Sequence, residues 1–94
     1  LAQEGDILLA ISTSGNSQNI LETLKFSKKI GIYSIGFLGG DGGQSLQYCD
    51  SAFIVPSKIT GRIQESHITA GHALLQYVED KLIEEEWLVK DPVR

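Results

Sequence analysis

The alternation of apolar and polar positions divides the chain into six segments. Asp6–Ser12 (DILLAIS) is a short, nearly continuous apolar run, the pattern of a strand buried on both faces of a parallel sheet. Ser12 to Ser17 (STSGNS) is small and polar. A helical period follows, with Ile20, Leu21 and Leu24 expected inward and Phe26 a further candidate. Lys28 and Lys29 stand near its C-terminal end, before Gly31; basic residues and a glycine there complement the helix dipole and permit a left-handed cap. Ile32–Leu38 reads as a second strand, Gly39–Gly43 as a turn, Gln44–Tyr48 as a short helix, and Ser51–Pro56 as a third strand stopped by its proline. From Ile59 a long helical stretch runs to about Glu86, with apolar positions at Ile63, Ile68, Leu74, Leu75, Val78, Leu82 and Ile83.

Strand, helix, strand, short helix, strand, long helix is the order of βαβ crossovers, so the expectation is an α/β fold with a parallel sheet and helices on both faces. The first strand reads as interior, which calls for a neighbour supplied by chain preceding Leu1. The absence of methionine and the opening at Leu1 fit that reading. Residues 1–94 are therefore expected to be the C-terminal portion of a single domain, unstable and inactive alone because one face of the first strand would be left open.

Composition narrows the function classes. With 41% hydrophobic and 21% charged residues, the chain has the balance of a soluble globular protein. No apolar run approaches the roughly 20 residues a membrane helix needs, so neither a membrane nor a membrane partner is expected. The single cysteine, Cys49, excludes an internal disulfide framework and a cysteine-rich zinc site, and suits a reducing, cytoplasmic compartment. The formal charge is −4, from 12 acidic and 8 basic residues. Without a basic cluster, nucleic-acid binding is not expected. Glu79, Asp80, Glu84, Glu85 and Glu86 read as a solvated helix face.

The most informative loop is Ser12-Thr13-Ser14-Gly15-Asn16-Ser17, at the carboxyl end of a buried strand and the start of a helix. Ligands of open α/β sheets bind there, and a helix N-terminus offers free N–H groups and partial positive charge to a phosphate. Ser12, Thr13, Ser14 and Ser17 add neutral donors, and Gly15 allows close backbone approach. The competing account is that serine and asparagine merely cap the helix and shape the turn. The loop is neither a GxGxxG motif nor a P-loop, so a phosphorylated small molecule is favoured over a nucleotide.

A second constellation lies on the long helix. Gln64 and His72 flank Ile68 on one side, about 80° and 12 Å apart on an ideal helix. They could converge on one ligand, at a stretch; the spacing is not that of a helical histidine pair holding zinc. On the residues alone His72 reads first as a hydrogen-bonded interface residue. His67 is expected to be structural or at the surface, Arg62 and Glu65 to pair or to cap, Cys49 to be buried and inert, and Trp87 to anchor the C-terminal tail or an interface.

The stretches GDILLAISTSGNSQNIL (5–21), the following strand with its DGG turn, CDSAFIVPS (49–57) and TGRIQESHITAGH (60–72) together resemble the sugar isomerase (SIS) domain family. The RIQE run with a histidine eight residues after its glutamine is most similar to the phosphoheptose isomerase branch. The resemblance covers roughly residues 5–80 and implies a flavodoxin-like three-layer fold. It implies that Ser12, Thr13, Ser14 and Ser17 hold the sugar phosphate, that Gln64 touches substrate and helps hold zinc, and that His72 is a zinc ligand and acid/base group. It further implies interconversion of sedoheptulose 7-phosphate and D-glycero-D-manno-heptose 7-phosphate for surface glycans such as lipopolysaccharide, in a homotetramer with sites between subunits. In that family a histidine and a glutamate from a preceding helix complete the metal site, and an Asn-Gly-Gly turn contacts the sugar. None of these groups occurs here. The alternative is a non-catalytic SIS protein, binding a phosphosugar or associating with a replication initiator; those relatives lack a histidine at the position of His72. A third reading is another SIS isomerase or a sugar-phosphate-sensing domain.

Overall fold

The structure, a computed structural model, describes Gln3 and residues 5–86. Strand β1 (Ile7–Ser12), helix α1 (Gln18–Lys29), strand β2 (Tyr33–Gly39), a 3-10 turn (Gln44–Tyr48), strand β3 (Ser51–Val55) and helix α2 (Thr60–Glu84) follow the expected order. The three strands pair in parallel in the order β1-β2-β3. Ile7 is level with Tyr33 and Ser12 with Leu38, while Ile35 is level with Ser51 and Gly39 with Val55.

This register sorts the side chains into two faces, because successive residues of a strand point to opposite sides. Leu8, Ala10, Ser34, Gly36 and Leu38 share the face covered by α1 and the 3-10 turn; Cys49 packs directly on Gly36. Leu9, Ile11, Phe37 and Phe53 share the face covered by α2. The result is the three-layer arrangement that the alternation predicts. Leu24 and Leu38 are completely buried, and each contributes about 1.5–3 kcal/mol through removal of its side chain from water.

The amino-terminal end of the sheet, opposite the loop after β1, is held by polar staples. Asp50 accepts hydrogen bonds from the Ser34 backbone N–H (2.7 Å) and the Ser34 hydroxyl (3.3 Å), joining the start of β2 to the start of β3. Tyr33 and Ser51 hydroxyls hydrogen-bond across the same two strands. Cys49 is half-buried rather than buried, and its thiol donates to the Ser45 carbonyl at 3.4 Å. Burial, and then the charge of neighbouring Asp50, push this thiol's pKa upward, so it is held in its unreactive form.

Other expectations are corrected. Phe26 is exposed and Ser27 takes the buried position on α1; at 100° per residue Phe26 stands about 140° from Leu21 and 160° from Leu24, on the outer side. The apolar positions Ile68, Leu74, Leu75 and Val78 of α2 are exposed, and only Ile63 and His67 are buried on that helix. A 25-residue helix is about 37 Å long, whereas a seven-residue strand covers about 23 Å, so the distal half of α2 runs past the sheet. β1 pairs only with β2 among the described residues, and its Ile7, Leu9 and Ile11 are exposed on the α2 side, as expected of a first strand left open on one face. No ion pair joins Arg62 to Glu65 among the described residues; Lys25–Glu22 and Lys81–Glu84 do pair, both exposed and of small energetic weight. Of the acidic run, Asp80 and Glu84–Glu86 are exposed, as expected of a solvated face. Trp87 lies outside the described residues.

Candidate functional site

The loop after β1 is held by its own hydroxyls and by the glycine turn beside it. Ser12, buried at the end of the strand, accepts from the Gly15 N–H at 3.0 Å, and Ser14 accepts from the Asn16 N–H at 3.1 Å. Gly15 has φ +71°, and a β-carbon there would overlap the Gly42 carbonyl. Gly43, at φ +59°, backs onto the Ser14 and Gly15 backbone. The Ser45 N–H donates to the Gly15 carbonyl at 2.8 Å, and the Gln44 N–H to the Asn16 side-chain oxygen at 2.9 Å. Loop and turn therefore form one interlocked unit at the carboxyl end of the sheet.

This geometry decides against a simple capping role for the polar residues. Ser17 is the residue preceding α1, in extended conformation, and its side chain makes no capping hydrogen bond. Asn16 spends its side-chain oxygen on Gln44 rather than on the helix. The first turn of α1 contains no acidic residue. The helix N-terminus thus keeps the free donors and partial positive charge that attract an anion. Ser14 and Ser17 are exposed and Thr13 is partly exposed beside it, while Ser12 acts from below by fixing the loop.

On the opposite side of β1 a trough of about 450 Å³ is lined by Leu9, Ile11, Gln64, His67, Ile68 and His72, among others. Gln64, Ile68 and His72 follow one another at intervals of four residues, so they form a single stripe along α2. The structure brings Gln64 and His72 into the same cavity, with Ile68 between them. The two halves of the site meet at Gly39. A β-carbon there would collide with both the Thr13 carbonyl and the Ile63 side chain, so the loop and the start of α2 pack across a position that only glycine can occupy.

His67 is not at the surface. It is 3% exposed, its Nε2 lies 2.7 Å from the Leu38 carbonyl oxygen, and its ring packs against Phe37 and Phe53. Sequence reasoning missed this hydrogen bond and the clamp formed by Gly42 and Gly43. Position 67, four residues after Ile63, carried the helical signal for burial; the glycine-rich run GGDGG carried the signal for close backbone approach.

Gln64 and His72 offer an amide oxygen and an imidazole nitrogen to one cavity, and both suit zinc's preference for nitrogen and oxygen ligands. Two donors fall short of a tetrahedral set, and no group of three or more His, Cys, Asp or Glu side chains comes together among the described residues. As a pair they fit two positions of a zinc site and do not make a complete one.

Comparison with known proteins gives a consistent result. The chain is 54% identical over 84 residues to phosphoheptose isomerase from Clostridium acetobutylicum, covering 89% of this chain and 43% of that protein. It is 50% identical over 80 residues to phosphoheptose isomerase from a Nitratiruptor species, covering 85% and 43%. The solved structure of phosphoheptose isomerase from Neisseria gonorrhoeae superposes with a TM-score of 0.81 at 38% identity, over 83% of this chain and 45% of that one. The chain thus spans somewhat less than half the length of the relatives it matches. No protein-family model matches it. No helix among the described residues is long and apolar enough to cross a membrane.

Proposed function

We propose, from the premise that this chain is a relative of the phosphoheptose isomerases, that it forms part of an isomerase acting on sedoheptulose 7-phosphate. The product is D-glycero-D-manno-heptose 7-phosphate. The observation that carries this reading is that Gln64 and His72 line one cavity on α2, while the start of that helix packs through Gly39 against the hydroxyl-rich loop. One element offers phosphate donors and the other offers an acid/base group, as a phosphosugar isomerase requires.

The chemistry transfers a proton between C1 and C2. A base removes a proton from C1 of the ketose and the electrons of that C–H bond form the C1=C2 bond. The C2 carbonyl oxygen takes a proton, giving the cis-enediol. Proton return to C2, with loss of the O1 hydroxyl proton, then leaves the aldehyde at C1. Ser14, Ser17, Thr13 and the N–H groups of α1 bind and orient the phosphate, and Ser12 holds their loop in shape. This grip supplies orientation at the far end of the sugar, where binding energy lowers the barrier by fixing the reacting carbons. His72 presents an imidazole that can accept and return a proton, and the second base comes from outside the described residues. Gln64 contacts the sugar oxygens. Zinc held in part by Gln64 and His72 would supply Lewis-acid stabilisation of the developing oxyanion.

The apolar surface of α2 at Leu74, Leu75, Tyr77 and Val78 supports assembly into a homo-oligomer, a homotetramer in our reading. A role in heptose supply for surface glycans such as lipopolysaccharide, and a cytoplasmic setting, complete the proposal. The test is an assay of the full-length protein on sedoheptulose 7-phosphate. Conversion to an aldose phosphate is expected, and its absence in folded protein would overturn the proposal.

A further inference from the structure

The residue that most needs an account is His67, a buried titratable group with no part in the chemistry above. It is 3% exposed, and Nε2 stands 2.7 Å from the Leu38 carbonyl oxygen. A carbonyl only accepts, so Nε2 carries the hydrogen. Nδ1 is buried with no partner. The ring lies 5.7 Å from Phe37 and 6.3 Å from Phe53, centre to centre. A phenylalanine would fill this apolar slot without leaving a buried nitrogen unpaired, which is costly in itself. Packing therefore does not explain the histidine; its directional bond to Leu38 does.

We infer that His67 is a positioning residue: its hydrogen bond to the Leu38 carbonyl fixes the Gln64–His72 face of α2 relative to the loop after β1. Only Ile63 and His67 are buried on α2, so they make the close contact between this helix and the sheet. Ile63 presents a methyl surface that can slide or roll over Gly39. The His67 bond has a direction and a length, and it sets both the rotation and the height of the helix. Gln64 lies three residues before it and His72 five residues after, about 4.5 Å and 7.5 Å along the axis, so both follow any movement at this point. Leu38 is the register partner of Ser12, the first residue of the loop. One hydrogen bond thereby references the two side chains on α2 to the strand pair that carries the phosphate loop. The kinetic consequence rests on the isomerase reading above; the geometric claim does not.

The test compares wild type, His67→Phe and His67→Gln in the full-length protein, where the glutamine keeps a side-chain N–H donor for Leu38. For folded His67→Phe the expected result is a fall in kcat of about tenfold to a hundredfold, the scale of a 1 Å misplacement, with KM for sedoheptulose 7-phosphate within about twofold. His67→Gln is expected to recover most of kcat. Wild-type kcat in His67→Phe, or a folded His67→Gln no better than the phenylalanine variant, overturns the inference. If His67→Phe does not fold, His67→Gln alone decides, supporting the inference with near-wild-type kcat and overturning it with lost kcat in folded protein. If wild type itself turns over no sugar phosphate, the isomerase reading fails, and backbone hydrogen exchange decides the geometric claim. Amides of residues 64–72 exchanging faster in His67→Phe than in wild type and His67→Gln uphold it, and unchanged protection refutes it.

Discussion

Gly15 and Gly42 meet backbone to backbone, so closely that a β-carbon on Gly15 would overlap the Gly42 carbonyl oxygen. This contact couples the loop at the end of β1 to the turn at the end of β2. Two segments separated by a whole helix thus behave as one rigid rim above the sheet, aided by the Ser45–Gly15 and Gln44–Asn16 hydrogen bonds.

Gly15→Ala is expected to disrupt this rim. The left-handed φ of +71° costs a side-chain-bearing residue about 1–2 kcal/mol, and the overlap with Gly42 adds about 1–3 kcal/mol as for other overpacked sites. Urea unfolding of the full-length protein should register a loss of about 3 kcal/mol. Stability within 0.5 kcal/mol of wild type, the usual effect of a substitution at an unconstrained surface position, would show that the loop and turn are not locked together.

Ser14→Ala removes an exposed hydroxyl from the loop proposed to hold phosphate, and with it the acceptor of the Asn16 N–H. A hydrogen bond to a charged group contributes about 1.5–3 kcal/mol, so KM for the sugar phosphate should rise by about tenfold or more. Inorganic phosphate should compete less well to the same extent. Unchanged affinity for both would remove Ser14 from the binding site.

His72 is exposed within the trough and supports no packing, so His72→Asn should fold as wild type does. Loss of a positioned acid/base group lowers turnover by about a hundredfold to ten-thousandfold. Circular dichroism and a steady-state assay on the same preparation separate the two effects. Retained turnover would exclude His72 from proton transfer.

Metal content gives an independent check on Gln64 and His72. Full-length protein should carry zinc that a chelator removes together with activity and that added zinc restores. Gln64→Leu should lower the zinc occupancy without unfolding the chain, since Gln64 is exposed. Zinc-free protein with full activity would eliminate the metal from the reaction.

The elements and their order were legible because each carries its own period. The apolar run 7–11, the helical spacing of Leu21 and Leu24, and Pro56 at the end of the third strand are local signals, and local backbone preference follows them. The hydroxyl loop was legible for the same reason, since its residues are contiguous. What could not be read was the partner of each side chain. Asn16 and Ser17 both resemble caps in sequence, yet Asn16 binds Gln44, 28 residues away, and Ser17 caps nothing.

Residue type and near-neighbour spacing were enough to set the parallel α/β architecture and the contiguous run of hydroxyls after β1. The tertiary structure decided which apolar residues are buried, since that depends on how far a 25-residue helix overruns strands of five to seven residues. It also decided that Gln64 and His72 share one cavity, and that His67 is buried against Leu38. Those relationships are set by strand register and by the angle at which α2 crosses the sheet, and no single segment encodes either.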